Sequence, residues 1–251
     1  MSGHSKWANI KHKKARSDEK RGKEFTKVAK EITIAVKSGG GGDPESNAKL
    51  KLAIQKAKSI NMPNENITRA IKKGTGEIQS EAIEEFCYEG YAPAGVAVML
   101  DIATDNRNRT APDIRHLFSK HNGNLGESGC VSWMFKRVGL INVDKANAPD
   151  EEELMLMALE CGADDVRDEG DSYDIITGQD NFLEVKEALE NTGIAIAEAD
   201  LDMLPETQVE ISDVDTALKI IKLIDLLEDH DDVQKVYTNM NLTEDVLDKL
   251  S

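Results

Sequence analysis

The sequence predicts an α+β protein of three domains: an N-terminal helical bundle over residues 1–77, followed by two ferredoxin-like α/β domains, one inserted in the other. Three observations predict it. Helical periodicity and positive charge coincide over the first 77 residues and nowhere else. Residues 138–206 read as strand, helix, strand, strand, helix, strand, which is the order of a split βαβ unit. Residues 78–137 supply two strands, a helix and a strand, and residues 207–251 supply the helix and closing strand that this unit lacks.

In chain order, Phe25, Val28, Ala29, Ile32 and Val36 recur at steps of three and four and form one stripe of a helix that Ser38 and Gly39 end. GGGGDP is a turn, with Asp43 as cap and Pro44 at the first position of a second helix. That helix buries Leu50, Ala53, Ile54 and Ala57, and a short third helix carries Ile67, Ala70 and Ile71 before Gly74 stops it. Val96, Val98, Leu100 and Ile102 alternate as in a half-buried strand. DNRNRT then forms a loop in which Thr110 caps a helix packing Ile114, Leu117, Phe118 and His121 to one side. VSWMF is a strand, as are LINV, SYDIIT and IAIAEADLDML, with helices at EEELMLMALE and NFLEVKEALENTG. After QVEIS, the long helix DVDTALKIIKLIDLLEDH leads to a closing strand at VQKVYTNM.

Composition narrows the function. No apolar run is long enough to cross a bilayer, and the basic N-terminus lacks both the apolar segment of a secretory signal and the acid-free character of a transit peptide. A cytoplasmic protein is expected. Aromatic residues are 4% of the chain, so its cores must be aliphatic. Cys87, Cys130 and Cys161 are far apart and form no CxxC pair, which predicts buried free thiols rather than a disulfide or zinc framework. The five histidines show no metal-ligand spacing, and neither metal nor cofactor is expected. GGGGDP lacks the Gly-Lys-Ser/Thr ending of a phosphate loop, and GESGC misplaces the glycine of a nucleophile elbow, so Ser128 has no nucleophilic role.

Charge is the strongest functional signal. The formal net charge is −16, but residues 1–77 carry +10 (18 Lys and Arg against 8 Asp and Glu) and residues 78–251 carry −26 (13 against 39). Such asymmetry points to a nucleic-acid-binding end, where Lys and Arg displace counterions from phosphates without reading sequence. Lys11, Lys13, Lys14, Arg16, Lys20, Arg21 and Lys23 are the expected phosphate contacts; Lys6 and Trp7 hold or extend the arm, and Trp7 could stack on a base. Arg107 and Arg109 are second-rank candidates, as readily a helix-entry loop as a phosphate contact. DEEEL and LEDHDD read as solvated acidic faces that repel phosphate and attract a basic protein partner.

GHSKWANIKHKK, RGKEF, GGGGDP, YEGYAPAG, DNRNRT, GNLGESGCVSWMF and ALECGADD together resemble the YebC/PmpR family, which includes a mitochondrial translational activator of a cytochrome oxidase subunit. NAKLKLAI departs from the family pattern, which the resemblance implies would carry a proline and arginines there; its lysines keep the charge but lose the bidentate fork. The resemblance implies three domains around a cleft and no enzyme activity. It implies either a DNA-binding transcriptional regulator or a translation factor acting on the ribosome at proline-rich stretches. The expected function is therefore a non-enzymatic, nucleic-acid-binding regulator of gene expression whose partner is DNA, RNA or the ribosome, with no membrane contact.

Overall fold

The computed structural model describes residues 18–250, with side chains from residue 21. Its N-terminal part is helical: α1 (Asp18–Ser38), α2 (Ala48–Ser59) and α3 (Asn64–Thr75). The predicted stripes meet in one core, with Val28, Ile32 and Val36 against Leu50, Ala53, Ala57, Met62, Ile67 and Ala70. α1 and α3 run side by side in the same direction, since Thr33 Oγ1 donates to Ala70 O at 3.2 Å and Gly74 abuts Val36.

Two helix boundaries differ from expectation. α2 begins after Asn47 rather than Asp43. Buried Asn47 accepts from Leu50 N at 3.0 Å, while its amide donates to Ala35 O and Gly41 O, both at 2.8 Å, and so ties the cap to the end of α1. Gly74 does not stop α3: it is a close-packing position inside the helix, where a Cβ would lie 2.6 Å from that of Val36, and Gly76 at φ +85° ends the helix.

The remainder builds two four-stranded sheets. The first has the antiparallel order β3-β1-β2-β9, from β1 (Glu84–Tyr91), β2 (Ala97–Thr104), β3 (Asn124–Leu125) and β9 (Val233–Thr238). α4 (Arg107–Lys120) and α7 (Val214–Glu228) cover one face, burying Ile114, Phe118, Ile220, Leu223 and Ile224 against Val98, Leu100 and Ile102. β2 is buried on both faces, because Ala97 and Met99 point the other way into a small cluster with Val131, Phe135 and Tyr237.

The second sheet is drawn wholly from residues lying in sequence between the strands of the first. β4 (Phe135–Asp144), α5 (Glu151–Glu160), β5 (Asp165–Asp168), β6 (Ser172–Thr177), α6 (Phe182–Asn191) and β7 (Glu198–Pro205) follow in turn, and the sheet order is β5-β6-β4-β7. Leu154, Ala158, Val185 and Leu189 of its helices pack on Ile141, Val143 and Ile175. A two-stranded parallel ribbon, β8 (Val209–Ile211) with β10 (Met240–Leu242), and α8 (Glu244–Leu250) complete the fold. VSWMF is not a strand throughout. Residues Ser132–Met134 form a 3-10 turn, and the strand starts at Phe135.

Candidate nucleic-acid interface

The cations of α1 and α2 divide by what they face. Lys30 Nζ reaches Asp232 Oδ1 at 2.8 Å, Asp231 O at 2.9 Å and Ala103 O at 3.1 Å, so this mid-helix lysine is spent on the acidic body. Lys27 donates to Glu228 O, and burial brings its ammonium down to about 8, partly offset by Glu228, Asp229 and Asp231. On α2, Lys56 Nζ lies 2.9 Å from Glu31 and 3.2 Å from Asp200, and Asp200 also takes Lys235 at 2.6 Å. Burial works against the charged Lys56, but the two carboxylates outweigh it and hold the group above the ordinary lysine range.

The centre of this docking is Asp232. LEDHDD is not wholly a solvated face, because the Asp232 side chain is only 3% exposed. It accepts from Lys30, from Thr110 Oγ1 at 2.8 Å and from Arg109 Nη2 at 3.0 Å. Burial favours its neutral form, yet these three bonds prevail and keep the carboxyl well below its usual range.

DNRNRT is a helix entry more than a loop: Asp105 and Asn106 precede the helix, and Arg107 onward lie in it. Asn106 caps α4 by accepting from Arg109 N at 3.1 Å, and Arg107 and Arg109 stand in the first turn with Thr110 inside the helix. Arg109 is held by Asp105 at 3.1 Å and by Asp232, and Arg107 lies over the Phe86 ring at 4.5 Å. Both arginines are exposed, but Arg109 already has two carboxylate partners.

Of the other predicted contacts, Arg21 is exposed and Lys23 half-buried on α1, and Lys20 is placed by its backbone in the same helix. Lys6, Trp7, Lys11, Lys13, Lys14 and Arg16 lie outside the described residues. The fold adds candidates that the sequence reading missed. A groove of about 630 Å³ runs along the α1–α3 seam to the segment after α3 and to Asp105. Arg69 and Lys73, one helical turn apart on α3, line it together with Asn66, Gln79 and Ser80. Neither cation has a partner among the described residues, and both are exposed, as are Lys37 and Lys72 at the matching ends of α1 and α3. The charges of 69, 72 and 73 were visible in the sequence; that α3 lies along α1 was not. The candidate interface is thus a helical bundle whose Lys27, Lys30 and Lys56 are engaged by the body and whose Lys37, Arg69, Lys72 and Lys73 are exposed.

Among the described residues, no group of three or more His, Cys, Asp or Glu could hold a metal ion, and no helix is long and apolar enough to cross a membrane. The cysteines are free but not buried as expected. Cys130 and Cys161 are half-buried, and exposed Cys87 donates to Asp101 at 3.2 Å.

Comparison with known proteins gives concordant results. A family model described as the TACO1/YebC N-terminal domain matches residues 5–77, and one for the TACO1/YebC second and third domain matches residues 83–240. A protein of Syntrophomonas wolfei described as a probable transcriptional regulatory protein is 72% identical, covering 98% of this chain and 99% of its own. One of Halothermothrix orenii with the same description is 56% identical, covering 100% and 99%. The crystal structure of a conserved hypothetical protein from Aquifex aeolicus superposes with a TM-score of 0.86 at 51% identity, over 95% of this chain and 97% of that one.

Proposed function

The chain belongs to the TACO1/YebC family, and from that premise we propose that it is a non-enzymatic nucleic-acid-binding regulator of gene expression, acting on DNA as a transcriptional regulator. The observation that carries the reading is the set of exposed cations on the helical bundle, Arg69, Lys72 and Lys73 among them, on a chain whose remaining residues are net acidic. In this reading residues 1–77 bind the polyanion. Residues 78–137 with 207–251 form one ferredoxin-like domain, into which a second, 138–206, is inserted. The β5-β6-β4-β7 order of the second sheet supports that division. The net-acidic body disfavours phosphate away from its few exposed cations and offers a surface to a basic protein partner.

A second reading, a ribosome- or rRNA-binding translation factor that relieves stalling at proline-rich stretches, is favoured by the docking of α1. Lys27 and Lys30 face the body, so α1 cannot lie along a major groove on that side. Lys13, Lys14 and Lys20 replaced together by Gln test the shared premise. Binding should weaken, and its salt slope should fall by about one per lost contact. The Arg69→Gln, Lys73→Gln pair should do the same if the groove takes part. Unchanged affinity and slope in both variants would sink the basic-bundle reading. Crosslinking in cells, with sequencing of both bound DNA and bound RNA, separates the two targets.

A further inference from the structure

We propose that Trp133 is a base-stacking platform for single-stranded nucleic acid, a second binding point on the acidic body; the inference rests on the nucleic-acid reading above. Trp133 is 65% exposed, more than any other large apolar side chain among the described residues. Exposure alone says little, but this indole is held in place. Glu89, itself only 4% exposed, accepts from Gly129 N, Val131 N and Ser132 N, each at 2.8 Å, and its own carbonyl accepts from Gly126 N at 2.8 Å. Those bonds fix the whole GESGCVS loop in front of the 3-10 turn. Val131 and Phe135, on either side of the turn, are sunk in the cluster between the two sheets. The indole N–H donates to Cys130 O at 3.2 Å, an oxygen that also takes the Tyr91 hydroxyl at 3.0 Å. The ring's edge is therefore engaged while much of its surface stays in water.

The surroundings favour a base over a protein. A protein hot spot normally sits in a well-packed pocket whose surrounding contacts exclude water. The other exposed large apolar residues, Ile78, Met155, Leu156, Leu159 and Leu218, lie on other elements, and the loop residues before the turn, Glu127, Ser128 and Gly129, are polar or lack a side chain. A nucleobase needs only one flat, pre-oriented surface with cations nearby for its backbone. Lys136 and Arg137 follow within four residues, both exposed and neither in an ion pair among the described residues. Arg137 is within the field of Glu85, which leaves Lys136 as the better phosphate contact. Prior ordering of the ring removes part of the entropic cost of stacking.

The chain has two tryptophans, so the emission difference between the wild-type protein and Trp133→Phe reports Trp133. With a short oligoadenylate RNA, that difference signal should be quenched on binding. Trp133→Ala should lose about tenfold in affinity, while Trp133→Phe, which keeps a ring, should stay within about threefold of wild type. The loss in Trp133→Ala should persist at high salt, where phosphate contacts fade. RNA binding with an unmoved Trp133 signal and an unimpaired Trp133→Ala overturns the stacking role and leaves the bundle reading standing. Binding of neither RNA nor DNA overturns both. A change in Trp133 emission that depends on protein concentration without RNA assigns the ring to a contact between copies and also overturns the inference.

Discussion

Replacing Asp232 with Asn tests how the bundle is held to the body. The change preserves volume and removes the charge. Asp232 accepts from Lys30, Thr110 and Arg109, at 2.8, 2.8 and 3.0 Å. Hydrogen bonds to a charged group contribute about 1.5–3 kcal/mol each where water is excluded. The Lys30 and Thr110 bonds meet that condition, with the Lys30 side chain 17% exposed and Thr110 buried. The Arg109 side chain is 51% exposed, so its share falls to about 0.5 kcal/mol. Asn retains one acceptor and turns an N–H₂ towards the other donors. The expected loss is therefore about 3 kcal/mol, read from the urea midpoint at neutral pH. Lys30→Met in the same chain should recover part of it, because the uncompensated ammonium is removed. The pH sign is equally specific. The folded carboxyl lies below its unfolded value of about 3.9, so its contribution is complete above that value and is lost as pH falls through the folded one. The Asn variant should lack that part of the acid sensitivity. A loss under about 1 kcal/mol, or acid sensitivity equal to wild type, would refute the reasoning.

Further outcomes follow from the surroundings of Glu89 and Gly139. Glu89→Gln sets an amide N–H₂ against backbone N–H groups that now meet a carboxylate, which should cost about 2 kcal/mol and raise hydrogen exchange in residues 126–132 while the helical bundle is unchanged. Burial tends to raise the Glu89 carboxyl but its three backbone bonds lower it on balance, so its stabilisation also disappears as pH falls below the ordinary glutamate range, and exchange in the loop should rise there in wild type alone. Gly139→Ala would set a Cβ 2.3 Å from Thr177 Oγ1 and 2.4 Å from Phe182 Cδ2, so thermal denaturation should show destabilisation by at least about 1–3 kcal/mol.

Much of the fold was legible because apolar spacing is local. Val28, Ile32 and Val36 fall on one face of α1, and the alternation through Val98, Leu100 and Ile102 marks β2. Helix starts were not, because several good caps compete. Asp43 and Thr110 were as plausible as Asn47 and Asn106, and tertiary bonds decided: Asn47 alone reaches back to Ala35 and Gly41. Thr110 was needed at Asp232. The site was legible in sign but not in position. Lys30 and Asp232 are 202 residues apart, and nothing in either neighbourhood names the other. Trp133 was absorbed into an apolar run, since the backbone N–H groups beside it donate to Glu89, which lies on another strand.

The sheet shared by β2 and β9 bears on the order in which the chain can fold. Ala97 N donates to Asn239 Oδ1 across 142 residues of sequence, a closure that would be slow for an open chain. The intervening segment eases that closure. Phe135 and Pro205 face one another in the register of β4 and β7, so once residues 135–205 have folded their two ends emerge side by side. The loop still to be closed is thereby cut to roughly half, residues 98–134 and 206–238, which lowers its closure entropy by about 0.6 kcal/mol. As the chain leaves the ribosome, the second sheet can be complete while Leu100, Ile114 and Phe118 still wait for α7 and β9, which follow it in the chain. The arrival of α7 and β9 thus sets when the first sheet's apolar face is withdrawn from water, and with it the interval during which the nascent protein is prone to aggregate.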